Sequence, residues 1–299
     1  MSQFFRSFLL IWAFWGALGC GGGFDLLGIP TETVQGDQDL GSGAPEDSSS
    51  SVEAPESTSS RLPTGGRGGQ TGWSNGQCSD RNYQIYVPAS YSSTRAAPLI
   101  AAMHGAGDSF QNFAQGLAQA GWMTLAEREG FLLLIPDHTN GTRRSFLHFN
   151  QDFSLNIQAT LSEGRSLLDC IYYGVGSRYN IETTQIYWMG FSEGASFTNF
   201  MANDLSLRLR AVAVYAGASG KFNRSIPRKI PLFYVSGTGD FNYQGIVQAS
   251  AEWTDHPHRR EFVSATHSFA QLNSRVSPES LWTWLNNVPA EPVVSGYNN

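Results

Sequence analysis

The chain has 299 residues, of which 41% are apolar and only 15% charged, with 8 tryptophans and a formal net charge of −6. That apolar mass is ample for one large domain or two small ones. The negative balance, with no basic stripe interleaved with aromatics, argues against a nucleic-acid partner.

At the N-terminus, Arg6 is the one charged side chain before an apolar run, Phe8 to Leu18, that is too short to span a bilayer comfortably. Small residues follow in Ala17-Leu18-Gly19-Cys20. This layout predicts a signal peptide over residues 1–20. Cys20 also resembles the lipidated cysteine of a bacterial lipobox, although Ala17 stands where leucine is usual. Membrane attachment through a lipidated Cys20, ordinary cleavage with release, and a retained anchor are the alternatives. Setting Cys20 aside leaves Cys78 and Cys170, an even pair. They are either a disulfide formed in an oxidising compartment or two buried thiols.

Residues 21–72 are rich in Gly, Ser, Thr, Pro and acids, as in Glu46 to Glu53 and Gly65-Gly66-Arg67-Gly68-Gly69. Such a composition cannot bury enough apolar area to offset chain entropy and predicts a flexible linker. A catalytic domain is expected over 73–290, with a tail at 291–299.

Within that domain strand-like and helix-like stretches alternate. Tyr83 to Pro88 reads as a strand stopped by proline, and Pro98 to Met103 as a short apolar strand. Phe110 to Ala118 and Met123 to Arg128 carry apolar residues at helical spacing. Phe131 to Ile135 is almost purely apolar, as a central parallel strand should be. A helix over Leu161 to Tyr173 and a strand over Gln185 to Met189 come next, and then a helix from Ala195 to Leu205. Ala211 to Tyr215, Pro231 to Val235 and Arg260 to Ser264 are the remaining strands. Ser277-Pro278 starts a closing helix through Leu285, with serine as N-cap and proline at N1. The fold class is therefore α/β, a mainly parallel central sheet with helices on both faces.

The chemistry centres on Gly190-Phe191-Ser192-Glu193-Gly194, where a strand turns sharply into a helix. This is the nucleophile-elbow setting of the α/β-hydrolases, which exposes a serine hydroxyl on a strained backbone. A serine hydroxyl needs a base to take its proton and an acid to orient that base. After Ser192 the acid candidates are Asp204, Asp240, Asp255 and Glu261. Asp240 is favoured because it follows a strand at the C-terminal edge of the sheet, where catalytic groups gather. The histidine candidates are His256, His258 and His267. His267 is favoured because it follows the last strand and precedes the closing helix. His256 and His258, beside Asp255, read as a solvated surface loop rather than a metal site, and no metal is expected.

Two backbone N–H groups should stabilise the oxyanion, those of Glu193 and Ala106, the latter in the glycine-rich loop His104-Gly105-Ala106-Gly107. His104 reads as a packed structural residue. Asp137-His138 end another strand on the same edge and are expected to border the pocket. Phe146 to Phe149, with Phe153, form either a wall for the acyl group or a lid packed on the core.

Taken together, Tyr86-Val87-Pro88, His104 to Gly107, Phe131 to Asp137, the Gly190–Gly194 motif, Asp240 and His267 resemble secreted α/β-hydrolases of the polyhydroxybutyrate depolymerase and feruloyl/acetylxylan esterase group. The resemblance covers roughly residues 78–287. It implies a Ser192–His267–Asp240 triad and an oxyanion hole at Ala106 and Glu193. It also implies cleavage of carboxylic esters through an acyl-enzyme, with no cofactor. Ala195 stands where the group often has a second glycine, and 149–168 lacks the group's Asp-rich run. The rival readings are an inactive surface-tethered binding protein on the same scaffold, or a serine peptidase or thioesterase.

Overall fold

The computed structural model describes residues 63–78, 81–139, 145–221 and 226–294. The predicted signal peptide, Cys20 and residues 21–62 of the predicted linker lie outside the described residues. Among those described, no helix is long and apolar enough to cross a membrane.

The centre is an eight-stranded sheet in the order β1-β2-β4-β3-β5-β6-β7-β8. The strands are β1 (Gly72–Cys78), β2 (Arg81–Val87), β3 (Ala97–Met103), β4 (Leu132–Pro136), β5 (Ile181–Phe191), β6 (Ala211–Tyr215), β7 (Leu232–Gly237) and β8 (His258–Val263). β1 and β2 pair antiparallel with each other, and β2 antiparallel with β4. All pairings from β4 through β3 to β8 are parallel. The parallel part carries every strand end that concerns the site.

Strand side chains alternate between faces, so a strand buried on both sides reads as a continuous apolar run. One core holds Leu99, Leu134, Trp188, Val214 and Tyr234. It packs against α3 (Ile157–Asp169), α4 (Glu193–Asp204) and α5 (Tyr243–Ala251). The other holds the alternate set, Ile100, Leu133, Met189, Ala213 and Val235. It packs against α1 (Phe110–Gln119), α2 (Trp122–Glu129), α6 (Phe269–Arg275) and α7 (Pro278–Asn287). The α/β class and the two-sided layering agree with the sequence.

Some elements differ from expectation. β1, α5 and α6 carry no strong apolar pattern. β1 is the sheet's edge strand, and its first six residues, through Gln77, alternate between half-buried and exposed. The helix expected at Leu161 starts at Ile157, because Asn156 caps it by accepting from the Ala159 N–H at 3.0 Å. The α-helix proper stops at Asp169. A π-helical turn, Cys170–Val175, and one further turn, Gly176–Arg178, continue it.

The domain is also longer than predicted at both ends. Thr64 Oγ1 donates to the Tyr179 carbonyl at 2.8 Å and accepts from the Ile181 N–H at 2.9 Å. The Val294 N–H donates to the Leu207 carbonyl at 2.9 Å, and Arg228 Nη1 to the Glu291 carbonyl at 2.9 Å. Composition could not foresee this, since these segments dock mainly through hydrogen bonds to backbone groups, with Val293 the apolar side chain buried at the C-terminal end. Cys78 and Cys170 are joined by a disulfide with Cα atoms 5.5 Å apart, inside the usual range for such bridges. The bond fastens β1 to the π-helical turn after α3.

Candidate active site

Ser192 is the single residue between β5 and α4, with φ 58° and ψ −116°. A side chain rarely adopts that conformation, and it persists only where the surroundings enforce it. Backbone closeness supplies the enforcement. A Cβ on Gly190 would lie 2.2 Å from the Gly194 carbonyl oxygen, and one on Gly194 would lie 2.4 Å from that of His104. Glycine is required at both positions. The Ser192 N–H donates to the Tyr215 carbonyl at 2.8 Å, which fastens the turn to the end of β6.

Asp240 lies three residues beyond β7, and His267 in the connection after β8. Two hydrogen bonds stitch these connections together: Thr238 N–H to the Val263 carbonyl at 2.8 Å, and Gly239 N–H to the Ala265 carbonyl at 3.0 Å. Ser268 then caps α6, accepting from the Gln271 N–H at 3.4 Å. His267 is thus held from both sides. Its Nδ1 lies 2.7 Å from Asp240 Oδ2, and its Nε2 lies 2.8 Å from Ser192 Oγ. The carboxylate can only accept, so Nδ1 carries the proton and Nε2 faces the hydroxyl as acceptor. The other Asp240 oxygen accepts from the Asn242 N–H at 2.8 Å, and the carboxylate side chain has no exposed surface. A hydroxyl, an imidazole and a buried carboxylate in this order are equipped to deprotonate an alcohol.

The loop His104–Gly107 lies against the serine, since a Cβ on Gly105 would be 3.3 Å from Ser192 Cβ. Gly107 has φ +73°, which bends this loop back toward α1. The Glu193 N–H begins α4 directly after the serine, and Ala106 sits exposed in the facing loop. His104 is fully buried, its Nδ1 2.9 Å from the Gly105 carbonyl and its Nε2 3.6 Å from Asp137 Oδ1. Burial opposes protonation of that ring, but Asp137, the Gly105 carbonyl and Glu193 outweigh it, and its pKa is raised.

Asp137 and His138 border a cavity of about 660 Å³ that Asn75, Asn82, Tyr83 and Gln111 also line, and Ser192, Asp240 and His267 are not among its lining residues. Its wall includes Asp108, which follows the glycine loop, so it opens beside that loop. Phe146 is fully buried and stacks on Phe197 at 5.3 Å, and Phe149 packs partly buried against the same core. Both pack on the core. Phe153 alone is 63% exposed.

The expectation of a solvated loop at His256 and His258 is corrected. His256 is 5% exposed, its Nδ1 lies 3.1 Å from the Ile230 carbonyl, and its ring packs on Trp253 at 4.8 Å. His258 begins β8. A Pro-containing polar stretch looks solvated, but here it turns inward to feed the last strand. Among the described residues no group of three His, Cys, Asp or Glu side chains could hold a metal ion.

Two residues were missed at the sequence level. Phe241 follows Asp240, is 62% exposed and meets the His267 ring at 4.5 Å with the planes tilted by 44°. Phe191 meets the same ring at 5.1 Å. Adjacency to the motif residues was the available signal for both.

No family model matches the chain. It is 28% identical over 70% of its length to a bifunctional acetylxylan esterase/xylanase, XynS20E, of Neocallimastix patriciarum. It is 24% identical over 58% of its length to feruloyl esterase B of Thermothelomyces thermophilus. The chain spans only 28% and 56% of those two proteins' own lengths. Among solved structures it is similar to FphF, a fluorophosphonate-binding serine hydrolase of Staphylococcus aureus, with a TM-score of 0.53 at 12% identity, covering 72% of this chain and 97% of that one. The fold is that of the α/β-hydrolases, and the curated proteins to which the chain is similar are acetylxylan and feruloyl esterases.

Proposed function

We propose that this chain is a serine esterase that hydrolyses carboxylic esters through an acyl-enzyme on Ser192. The observation that carries the proposal is the unbroken series Ser192 Oγ, His267 Nε2 and Nδ1, Asp240 Oδ2, joined at 2.8 and 2.7 Å.

In this mechanism His267 Nε2 takes the Ser192 hydroxyl proton as Oγ attacks the ester carbonyl carbon. Asp240 holds the imidazolium that forms. The carbonyl electron pair moves onto oxygen, where the N–H groups of Glu193 and Ala106 stabilise it; one such donor is typically worth about 3 kcal/mol in the transition state. The intermediate collapses, the C–O bond to the alcohol breaks, and the alcohol leaves with the proton from Nε2. Water then attacks the acyl-serine, again giving its proton to Nε2. The carboxylic acid is released and the hydroxyl is restored.

The acyl or feruloyl group is taken to be carried by carbohydrate, and a polyhydroxyalkanoate-type polyester is the rival. Similarity to proteins named acetylxylan and feruloyl esterases supports the first. So does the polar cavity beside the glycine loop, which adjoins the site without being lined by the triad. Its amides and carboxylates, among them Asn75, Asn82, Gln111 and Asp108, suit a hydroxyl-rich alcohol better than an apolar polymer. Export is part of the proposal. The Cys78–Cys170 disulfide suits an oxidising compartment, and the mass of the mature N-terminal peptide would separate a lipidated Cys20 from simple release.

The test is hydrolysis of p-nitrophenyl acetate, then of acetylated, feruloylated and hydroxyalkanoate esters, by wild type and Ser192→Ala. Equal rates for the two proteins, or no labelling of Ser192 by a fluorophosphonate, would overturn the mechanism. Preference for the hydroxyalkanoate would overturn the carbohydrate assignment alone.

A further inference from the structure

The side chain of Glu193 plays no part in the acyl transfer above, yet it is placed as if it does. Its backbone N–H is one of the two assigned oxyanion donors, so anchoring the carboxyl restricts the turn that carries that N–H. Glu193 Oε1 accepts two hydrogen bonds from one neighbouring segment: from the Leu147 N–H at 2.7 Å and from Ser145 Oγ at 2.9 Å. The single Ser145 hydroxyl proton is shared between Glu193 Oε1 and the Leu147 carbonyl, 2.7 Å away, closing a small ring of polar contacts. Between these two residues Phe146 drives its ring inward, 5.0 Å from His104 and stacked on Phe197 of α4. His104 begins the loop that carries Ala106, and its carbonyl is in backbone contact with Gly194. Glu193 Oε2 and His104 Nε2 are both buried, the latter 3.6 Å from Asp137 Oδ1, and the Glu193 and His104 side chains interact electrostatically.

We infer that the Glu193 carboxyl is a positioning group that clamps residues 145–147 behind the elbow and so holds the two oxyanion-hole turns in register. The cost of keeping a carboxyl there argues for a purpose. Burying a carboxyl carries a desolvation penalty that an apolar side chain of similar size would avoid. Burial pushes this carboxyl up to about 7, against the hydrogen bonds from Leu147 and Ser145 and the attraction of His104. Both hydrogen bonds, from Leu147 and Ser145, need only an acceptor oxygen at Oε1. The geometry of the site matters because donors must meet the oxyanion, and small misplacements are expensive, on the order of a hundredfold in rate for ~1 Å.

The inference rests on the esterase proposal, and the two fail differently. If wild type hydrolyses no ester, that proposal falls first. Given activity, Glu193→Ala should lower kcat between about ten- and a hundredfold with little change in KM, while Glu193→Gln, whose amide oxygen still accepts from Ser145 and Leu147, should recover most of it. Ser145→Ala removes one of the two donors and should lower kcat by a smaller factor. Combined with Glu193→Ala it should add little, because both act through one contact. Should Glu193→Ala fail to fold, Ser145→Ala and Glu193→Gln still decide the matter. Wild-type kcat in Ser145→Ala, additive losses in the double variant, or a Gln variant as impaired as the Ala variant would overturn the inference.

Discussion

Two buried carboxylates in this molecule meet basic side chains, and they do opposite things. Asp240 touches His267 at 2.7 Å, and the far side of that imidazole reaches a serine hydroxyl on a strained turn. Glu163, on α3, meets Arg81 of β2 at 2.8 Å. Thr139 N–H at 3.1 Å, Thr139 Oγ1 at 2.6 Å and His148 Nε2 at 3.3 Å surround it as well. Arg81 in turn donates to the Asp137 carbonyl at 2.6 Å. The second network is closed: both carboxylate oxygens are engaged and no reactive group stands at its end. The first is open at one end, at the C-terminal edge of the parallel strands. A buried ion pair therefore marks neither function nor structure by itself. What separates the two is whether the chain of contacts ends on the hydroxyl proposed as nucleophile.

The contrast can be broken by substitution. Ser192→Ala or Asp240→Asn should lower kcat for p-nitrophenyl acetate by about 10⁴ or more, with the melting temperature nearly unchanged. Arg81→Met should do the reverse. It leaves Glu163 buried without its cation and should cost about 3–5 kcal/mol of stability in denaturant unfolding, while kcat per folded molecule stays near wild type. Loss of catalysis without loss of stability in Arg81→Met would erase the distinction.

Replacing Cys78 and Cys170 together by alanine should lower stability by about 2–4 kcal/mol, read as a lower denaturant midpoint, again with kcat intact. The pH dependence sharpens the comparison further. Burial alone would raise the Glu163 carboxyl, but the His148 hydrogen bond, the Arg81 charge and Thr139 outweigh it and hold the group at about 2, below the ordinary 4.5. A depressed acid stabilises the fold fully above its unfolded pKa and loses that contribution as pH falls through its folded one. The melting temperature should therefore drop on acidification from about 4.5 toward about 2, and Glu163→Gln should flatten that part of the curve. An unaltered slope in the variant would show that other carboxylates set it.

The central strands were legible because burial on both faces leaves an unambiguous apolar run, as in Phe131 to Ile135 and Ala211 to Tyr215. The elbow was legible because a serine forced to positive φ between closely packed backbones needs glycines on either side. β1 was not, since an edge strand of Gly, Ser, Asn and Gln owes its existence to pairing with β2. His256 reads as surface chain in sequence, and only its carbonyl partner at Ile230 reveals it as interior. The docked ends at Thr64 and Val294 escaped for the same reason, because backbone hydrogen bonds leave little trace in composition.

The amino-acid order by itself determined the fold class, the elbow and the short set of acids and histidines among which partners had to be sought. Local propensity, hydrophobic period and turn chemistry act over a few residues, and all of these features lie within that range. Choosing Asp240 and His267 from that set was an argument from strand ends. Their meeting is a fact of the tertiary structure, since 75 residues separate His267 from Ser192 and 27 separate it from Asp240. The disulfide between Cys78 and Cys170, the closed network around Glu163 and the clamp formed by the Glu193 carboxyl were likewise decided only when the sheet assembled. Each is a contact between distant segments, and short-range patterning carries no record of which segments will be neighbours.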